Sequence, residues 1–214
     1  LGKDKTLEWL PGISAEGLNG GTLYYDAQFD DARLALAFAR SASDADACLL
    51  NHFRVTGLEK NDSGKIIGVR AQDALDDSAV EHTLNAKVVI NCTGIFTDSI
   101  RTMDEPEAGR VIEPSQGIHI VLDRDFLPGD AAIMIPKTDD GRVLFAIPWL
   151  GRIILGTTDT PGVPVELDPK PQQEEIDYLV EHAGRYFAKK PTHDDVRAGF
   201  EAARNEAKTA FGDD

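Results

Sequence analysis

The chain has 214 residues, which is enough for one large domain or two small ones. It carries 22 lysines and arginines against 37 aspartates and glutamates, a net charge of -15. This acidic balance excludes a nucleic-acid phosphate binder as the default, because such proteins present basic surface. Hydrophobic residues make up 42% of the sequence, which is ordinary for a globular chain that buries a core.

Targeting and redox signals favour the cytoplasm. No apolar run approaches the ~18 residues that a membrane span needs, and the opening residues LGKD lack the charged and apolar segments of a signal peptide. Cys48 and Cys92 lie far apart in apolar surroundings, so we expect reduced, buried thiols. The first residue is not Met, so we expect an excised fragment of a longer, cytoplasmic protein.

The first third of the chain predicts a helix and a small sheet. Residues 1–22 look irregular, and residues 23–25 are a short strand candidate. Asp30 suits the N-cap of a helix over residues 32–41, whose alanines and leucines form an apolar stripe. A turn at residues 61–64 indicates a hairpin. The β-meander around it is predicted over residues 53–59, 65–73 and 78–84.

A strand–turn–helix unit follows. Residues 87–91 are apolar and β-branched, which predicts a buried strand. The strand ends at Thr93-Gly94, and Thr97 is the cap candidate for a helix over residues 99–103. A glycine at such a corner lets a ligand approach the backbone, and the helix N-terminus favours an anion. An ordinary strand-to-helix turn explains the same pattern, so both interpretations stay open.

Residues 114–123 organise the second half of the chain. Ile118, Ile120 and Leu122 alternate with His119, Val121 and Asp123, the period of a strand. Turns are expected at residues 139–141 and 150–152. Three further strands are predicted at residues 131–135, 143–149 and 153–156. We expect these four strands to form an antiparallel meander, with one face on a core and the other toward a ligand.

Several polar side chains can meet on that second face: His119, Thr157, Thr158 and Asp159. A lone histidine in a strand either transfers protons or is hydrogen-bonded structure. The residues 157–159 either line a polar pocket or form a hydrogen-bonded turn. Lys137 and Arg142 flank a hairpin and either hold a phosphate or belong to a solvated turn.

The remaining histidines show no metal-ligand spacing with one another or with His119, so we predict no metal site. Glycine-rich phosphate loops, G-x-S-x-G and C-x-x-C motifs are absent from the sequence. Residues 173–187 predict an amphipathic helix. Thr192 is expected to cap a last helix that contains the small residues Ala198, Ala202 and Ala207.

Six stretches of the sequence occur together in a characteristic order: YYDAQFDDARL (24–34), RVTGL (54–58), VVINCTGIFTD (88–98), PSQGIH (114–119), IPKTDDGRVLFAIPW (135–149) and GTTD (156–159). On these stretches the chain resembles the FAD-dependent, quinone-linked glycerol-3-phosphate dehydrogenase family. The resemblance covers about residues 20–190. Each stretch is weak by itself, and their combination is specific.

The resemblance implies an α/β (α+β) fold of two interleaved domains. Residues 28–110 would be part of a Rossmann-type FAD-binding domain. Residues 1–27 and 111–214 would belong to a substrate domain, or cap, built on an antiparallel sheet that covers the flavin. FAD would then be the cofactor and would carry the redox chemistry, while the protein positions the substrate.

The resemblance also assigns roles. Val55 would contact the adenine side of FAD, and Thr93 and Gly94 its diphosphate and ribitol. His119 would be the catalytic histidine beside flavin and substrate, with Thr157, Thr158 and Asp159 as candidate substrate contacts. The reaction would oxidise glycerol 3-phosphate to dihydroxyacetone phosphate and pass electrons to a quinone or oxygen, with a peripheral contact at the inner membrane face.

Three departures from the family limit this expectation. The G-x-G-x-x-G loop that holds the FAD diphosphate is absent. Where the family has a phosphate-binding arginine, this chain either has the acidic Glu201 or lies out of register, with Arg204 as a candidate substitute. Gln116 stands where a basic residue is usual. The tail after Gly199 does not resemble the family. We therefore expect the chain alone to be an inactive fragment that binds FAD weakly or not at all; the alternatives are a non-catalytic flavoprotein-fold remnant or interaction domain, and another amine or hydroxy-acid oxidase.

Overall fold

A computed structural model describes residues 1–76, 80–135, 138 and 141–207. This part of the chain divides into two compact units. The sheet unit consists of residues 1–23 and the described residues from 110 to 207, and the middle unit is Tyr24–Gly109.

The elements, in chain order, are α1 (Lys3–Trp9), α2 (Asp31–Asp44), β1 (Phe53–Lys60), β2 (Ile66–Asp73), β3 (Glu81–Asn85), α3 (Thr97–Asp104), β4 (Ile112–Asp123), β5 (Ile133–Ile135), β6 (Leu144–Trp149), β7 (Arg152–Gly156), β8 (Thr160–Pro161), α4 (Gln173–Tyr186) and β9 (Ala198–Ala207).

The middle unit contains the predicted helix and the predicted β-meander. Asp30 caps α2, since its Oδ1 accepts a hydrogen bond from the Arg33 backbone at 3.0 Å. Strands β1, β2 and β3 form an antiparallel sheet in that order. In the turn between β1 and β2, Asn61 Oδ1 accepts from the backbone N–H groups of Ser63 and Lys65. Both predictions are confirmed, although residues 78 and 79 of the third predicted strand lie outside the described residues.

Other predictions for the first half of the chain are wrong. Residues 23–25 form no strand, and neither do residues 87–91, where Val88 is 72% and Ile90 79% exposed. A strand needs a neighbour to pair its backbone groups, and the described residues provide none for either segment. Cys48 and Cys92 are free, as expected, but both are exposed and not buried.

The start of α3 also differs from the prediction. Thr97 is the first residue of the helix, and Phe96 occupies the N-cap position. A 3-10 turn, Gly94–Phe96, precedes it and already points the backbone along the helix. The predicted cap was therefore misplaced by one residue.

The sheet unit is built around β4. The strand order is β5-β6-β7-β4-β8, and β9 pairs with β4 along its other edge. The expected four-strand meander is therefore wrong in one connection, because β4 pairs with β7 and not with β5. After β4 the chain leaves the sheet through the 3-10 turn Arg124–Phe126 and buries Phe126 and Leu127 before it returns as β5.

One face of this sheet packs on the core, as the alternation predicted. Ile118, Ile120 and Leu122 are fully buried, together with Leu144, Ala146, Ile153 and Leu155 from the neighbouring strands. Helix α4 covers this face with Leu179, Val180 and Ala183. Each fully buried Leu or Ile contributes about 1.5–3 kcal/mol, so this cluster stabilises the unit.

Both ends of the sheet unit depart from the sequence predictions. Residues 3–9, expected to be irregular, form α1, where Thr6 is buried and its Oγ1 donates to Gly2 O at 2.9 Å. The last predicted helix is instead the 3-10 turn His193–Asp195 followed by β9. The alanines of β9 favour a helix, yet pairing with β4 from Ile112 to Val121 outweighs that preference.

Helix α4 matches the prediction for residues 173–187 to within one residue. Among the described residues, no helix has the length and apolar character needed to cross a membrane.

Candidate functional site

A pocket of about 340 Å³ lies on the sheet face opposite the core. Its floor is apolar and comes from alternate residues of β6 and β7, including Phe145, Ile147 and Ile154. Its polar lining comes from β4 and two loops: His119, Arg142, Thr157, Thr158 and Asp159. The structure thus brings together the four polar side chains that the sequence placed on the ligand face.

His119 is positioned by a close contact with a glycine. In the β4–β7 ladder His119 stands opposite Gly156. A Cβ atom on Gly156 would lie 2.7 Å from His119 Cγ and 2.9 Å from Ile118 O, closer than real Cβ atoms come. Glycine is therefore required here because it leaves room for the imidazole ring beside the strand.

Asp159 and Arg142 form the charged end of the pocket. Arg142 Nη1 donates to Asp159 O at 3.0 Å, and the guanidinium lies 4.7 Å from the centre of the Tyr178 ring. The Asp159 Oδ1 atom is buried and accepts no hydrogen bond from the described residues. This end therefore offers a cation, held by a hydrogen bond and a cation–π contact, and a carboxylate oxygen that can accept from a ligand hydroxyl.

The other half of the predicted basic pair, Lys137, lies outside the described residues. So do Asp139 and Asp140 of the predicted hairpin turn, whereas Gly141 is described and its N–H donates to Thr138 O at 3.1 Å.

Thr157 and Thr158 differ in what their hydroxyls do. Thr157 is half-buried, and its Oγ1 donates to Thr158 O at 3.0 Å. Thr158 is only 2% exposed, and its hydroxyl donates to Glu175 Oε1 and accepts from Ile118 N. The Thr158 hydroxyl is therefore occupied by contacts within the fold.

Sequence reasoning missed the residue at the centre of these contacts. Glu175, in the first turn of α4, is 4% exposed and accepts four hydrogen bonds. A glutamate three residues into a predicted helix is a signal for a helix N-terminus. The contact with Gln116 joins residues 59 apart in sequence, and no local pattern predicts such a pair.

The predicted cofactor residues lie in the middle unit. Val55 is half-buried in β1, where the register with β2 shifts between Val55 and Gly57. Thr93 is exposed, and its N–H and hydroxyl both donate to Asn91 Oδ1. Gly94 has a φ of +59°, a conformation that favours glycine. Their assignment to FAD stays a prediction, as do the roles of His119 and of residues 157–159.

Metal binding has no candidate in the part of the chain that the structure describes, since no group of three or more His, Cys, Asp or Glu side chains is arranged to hold an ion.

Comparison with solved structures defines the class of this protein. Its fold matches a glycerol-3-phosphate dehydrogenase from Bacillus halodurans complexed with FAD, with a TM-score of 0.90 and 34% identity over 97% of this chain and 42% of that one. Glycine oxidase from Bacillus cereus matches with a TM-score of 0.69 at 18% identity, over 96% of this chain and 52% of that one, and shares the fold alone. The α/β class expected from the sequence, that of FAD-binding oxidoreductases, is confirmed.

The family follows from the sequence comparison. The profile of the family described as FAD dependent oxidoreductase (DAO) matches residues 1–210, and the chain belongs to this family. The match extends into the tail after Gly199, while the departure of that tail from the narrower glycerol-3-phosphate dehydrogenase family stays a prediction.

Relatives confirm the narrower resemblance. The chain is 40% identical over 190 residues to a probable mitochondrial glycerol-3-phosphate dehydrogenase of Caenorhabditis elegans, which covers 88% of this chain and 26% of the relative. It is 38% identical over 193 residues to the human mitochondrial glycerol-3-phosphate dehydrogenase, again 88% of this chain and 26% of the relative. The chain thus spans about a quarter of the length of these two relatives.

Proposed function

We propose that this chain is the pocket-bearing part of an FAD-dependent glycerol-3-phosphate dehydrogenase, which oxidises glycerol 3-phosphate to dihydroxyacetone phosphate. The observation that carries the proposal is the pocket itself. His119, packed against Gly156, lines the same pocket as the Arg142 guanidinium. Asp159 Oδ1 lies there too and can accept a hydrogen bond from a ligand. The similarity to named glycerol-3-phosphate dehydrogenases selects this substrate among those that such a pocket could take.

Each polar group of the substrate has a counterpart in the pocket. The His119 imidazole takes the proton of the C2 hydroxyl, a task that histidine side chains commonly perform in enzymes. Asp159 Oδ1 accepts a hydrogen bond from a substrate hydroxyl. Arg142 supplies positive charge toward the phosphate. The apolar floor around Phe145 packs against the carbon chain of the substrate.

FAD is the cofactor that this proposal requires, and when bound it would supply the hydride-accepting chemistry for the oxidation at C2. Val55, Thr93 and Gly94 are the residues of this chain that would hold it. The local structure fits that role, because Thr93 is exposed and Gly94 carries no side chain that would keep a ligand from the backbone.

The electron acceptor and the location belong to the same proposal. A quinone or oxygen would serve as the final electron acceptor, as the family resemblance implied. The protein is proposed to work in the cytoplasm with a peripheral contact at the inner membrane face, as the family resemblance implied.

The test uses the protein that carries this chain, expressed at its full encoded length. Anaerobic addition of glycerol 3-phosphate should bleach the flavin absorbance and yield one dihydroxyacetone phosphate per flavin. Glycine and glycerol serve as control substrates, the first because of the glycine oxidase fold and the second because it lacks the phosphate. The proposal would be refuted if the flavin stayed oxidised after addition of glycerol 3-phosphate, or if glycine reduced the flavin faster than glycerol 3-phosphate does.

A further inference from the structure

The buried carboxylate of Glu175 lies behind the pocket, on the core side of the sheet. Its Oε1 accepts from Thr158 Oγ1 at 3.0 Å and from Thr160 Oγ1 at 2.8 Å. Its Oε2 accepts from Gln116 Nε2 at 2.9 Å and from Gln172 N at 3.0 Å. All four donors are neutral, so the carboxylate is satisfied by hydrogen bonds and by the positive end of α4.

These four bonds join three separate parts of the sheet unit. Gln116 belongs to β4, two residues before the core residue Ile118, and its Nε2 also donates to Lys170 O at 3.0 Å. Thr158 and Thr160 belong to the segment that follows β7. Gln172 begins α4. Glu175 therefore fixes the segment after β7 to the central strand and to the helix.

Two hydrogen bonds between Thr158 and Ile118 extend the β4–β7 ladder toward the pocket. Regular pairing of β4 with β7 ends at His119 and Gly156. Beyond it, the Thr158 hydroxyl accepts from Ile118 N at 2.9 Å, and Thr158 N donates to Ile118 O at 3.4 Å. The Thr158 side chain thus replaces a strand carbonyl beside His119, and Glu175 holds that side chain in place.

We propose that Glu175 is a positioning residue for the pocket, acting through Thr158. It holds the wall formed by residues 157–159 at a fixed distance from the strand that carries His119. It does so from the opposite face of the sheet, without contact with the substrate. Thr158 then serves the pocket through its position, since its hydroxyl is engaged on both sides. The catalytic consequence of this inference rests on the proposed function.

Glutamate is chemically required in this place. A carboxylate accepts at both oxygens, which matches two hydroxyl and two N–H donors. A glutamine of the same shape turns an NH₂ group toward one pair of them, so N–H would face N–H, or the threonine hydroxyls would have to rotate away from their present partners. Replacing Glu175 by Gln thus disrupts the network while it conserves the volume.

The test compares Glu175→Gln with Glu174→Gln in the full-length, FAD-loaded protein. Glu174 is the exposed neighbour in the same helical turn, so its substitution removes the same charge without touching the network. Turnover is measured well below the melting temperature of each variant and is expressed per bound flavin. A loss of folded protein or of cofactor then does not lower the measured kcat. Glu175→Gln should lower kcat about 10- to 100-fold, with a smaller change in KM, because a misplaced wall affects the reacting geometry. Glu174→Gln should keep the unsubstituted kcat.

Hydrogen exchange gives a readout that does not depend on activity. In Glu175→Gln, amide exchange in peptides covering residues 116–120 and 157–160 should rise about tenfold, with no change in the middle unit. If Glu175→Gln folds poorly, Thr160→Val removes one donor only and should shift both readouts in the same direction by less, while Thr160→Ser should restore them.

Two results would overturn the inference: a Glu175→Gln variant with the kcat of Glu174→Gln, or one with unchanged exchange in both peptides. A full-length protein that does not oxidise glycerol 3-phosphate would instead refute the proposed function. The exchange comparison alone would then decide whether Glu175 positions the pocket wall.

Discussion

Two helices of equal length show how the sheet unit differs from the middle unit. Both α2 and α4 have 14 residues and an apolar stripe. Helix α4 buries Leu179 and Ala183 completely against the sheet. None of the 14 described residues of α2 is buried, and Phe38 is 68% exposed. A stripe at helical spacing therefore shows which face is apolar, and only a packing partner decides whether that face is buried.

The same contrast holds for the strands of the two units. Ile118, Ile120 and Leu122 of β4 are buried, whereas the equally apolar Val88 and Ile90 are exposed. The sheet unit thus has a core of its own within this chain. The middle unit instead leaves many of its large apolar side chains exposed.

The largest expected effect concerns FAD. The middle unit exposes the Thr93-Gly94 corner, and the sequence contains no G-x-G-x-x-G loop to hold a diphosphate. We expect the 214-residue chain alone to bind FAD at least about a thousandfold more weakly than the full-length protein, roughly 4 kcal/mol. Flavin fluorescence during titration of both proteins measures this difference. Tight, stoichiometric binding by the chain alone would contradict the comparison.

A matched pair of leucine substitutions tests the two cores directly. Leu155→Ala in β7 removes a fully buried side chain and should lower the free energy of unfolding by about 2–5 kcal/mol. Leu36→Ala in α2, where the side chain is 62% exposed, should change it by less than about 0.5 kcal/mol. Urea denaturation of both variants gives the two values, and equal losses would show that α2 is buried in solution.

A pair of glycine substitutions tests how tightly the pocket is built. Gly156→Ala places a methyl group against the His119 ring and Ile118 O, so the imidazole must move. We expect kcat/KM of the full-length protein for glycerol 3-phosphate to fall about 10- to 100-fold. Gly109→Ala in the middle unit is the control, because nothing lies within 4 Å of the added Cβ. Unchanged activity in Gly156→Ala would show that the contact leaves the histidine free to adjust.

The smallest expected effect is electrostatic. Hydrogen bonding to Arg197 lowers the pKa of Asp123 below 3.8, with Arg152 and Lys189 adding to the effect. A lowered folded pKa means that the ionised form stabilises the fold above the unfolded pKa, and that this contribution is lost as pH falls through the folded value.

Denaturation midpoints between about pH 5 and pH 3 should therefore fall less steeply in Asp123→Asn than in the unsubstituted protein. Asp62→Asn, in the exposed turn of the middle unit, removes the same charge and should keep the original slope. Parallel slopes in all three proteins would argue that the Asp123 ion pairs contribute nothing measurable, as is common at surfaces.

Local patterns predicted the features that residues close together in sequence encode. The alternation in β4, the cap at Asp30 and the spacing of α4 each reflect neighbours in sequence, and each is confirmed. The pairing of β4 with β7 and the strand conformation of β9 depend on partners far along the chain. Propensity favoured a helix for β9 because its alanines suit one, and the ladder along β4 outweighed that preference.

Of the candidate site, the sequence predicted the side chains that line the pocket but not what holds them. His119 and residues 157–159 could be recognised because each is polar at the end of, or within, an apolar strand. Gly156 was noted only as part of a motif, and its role as the space for the His119 ring needs coordinates. Glu175 was missed because its partners come from three segments that only the folded chain brings together.

Because alternate residues of β4 face the core and the pocket, the coding sequence of this strand tolerates few insertions or deletions. Neighbouring residues of a strand face opposite sides of the sheet, so inserting or deleting a single codon within residues 112–123 would exchange His119 with Ile118 or Ile120. The imidazole would then lie in the hydrophobic core, and an isoleucine would lie on the face of the sheet that lines the pocket. Indels should therefore be purged from this strand while they accumulate in the solvent-facing 61–64 turn.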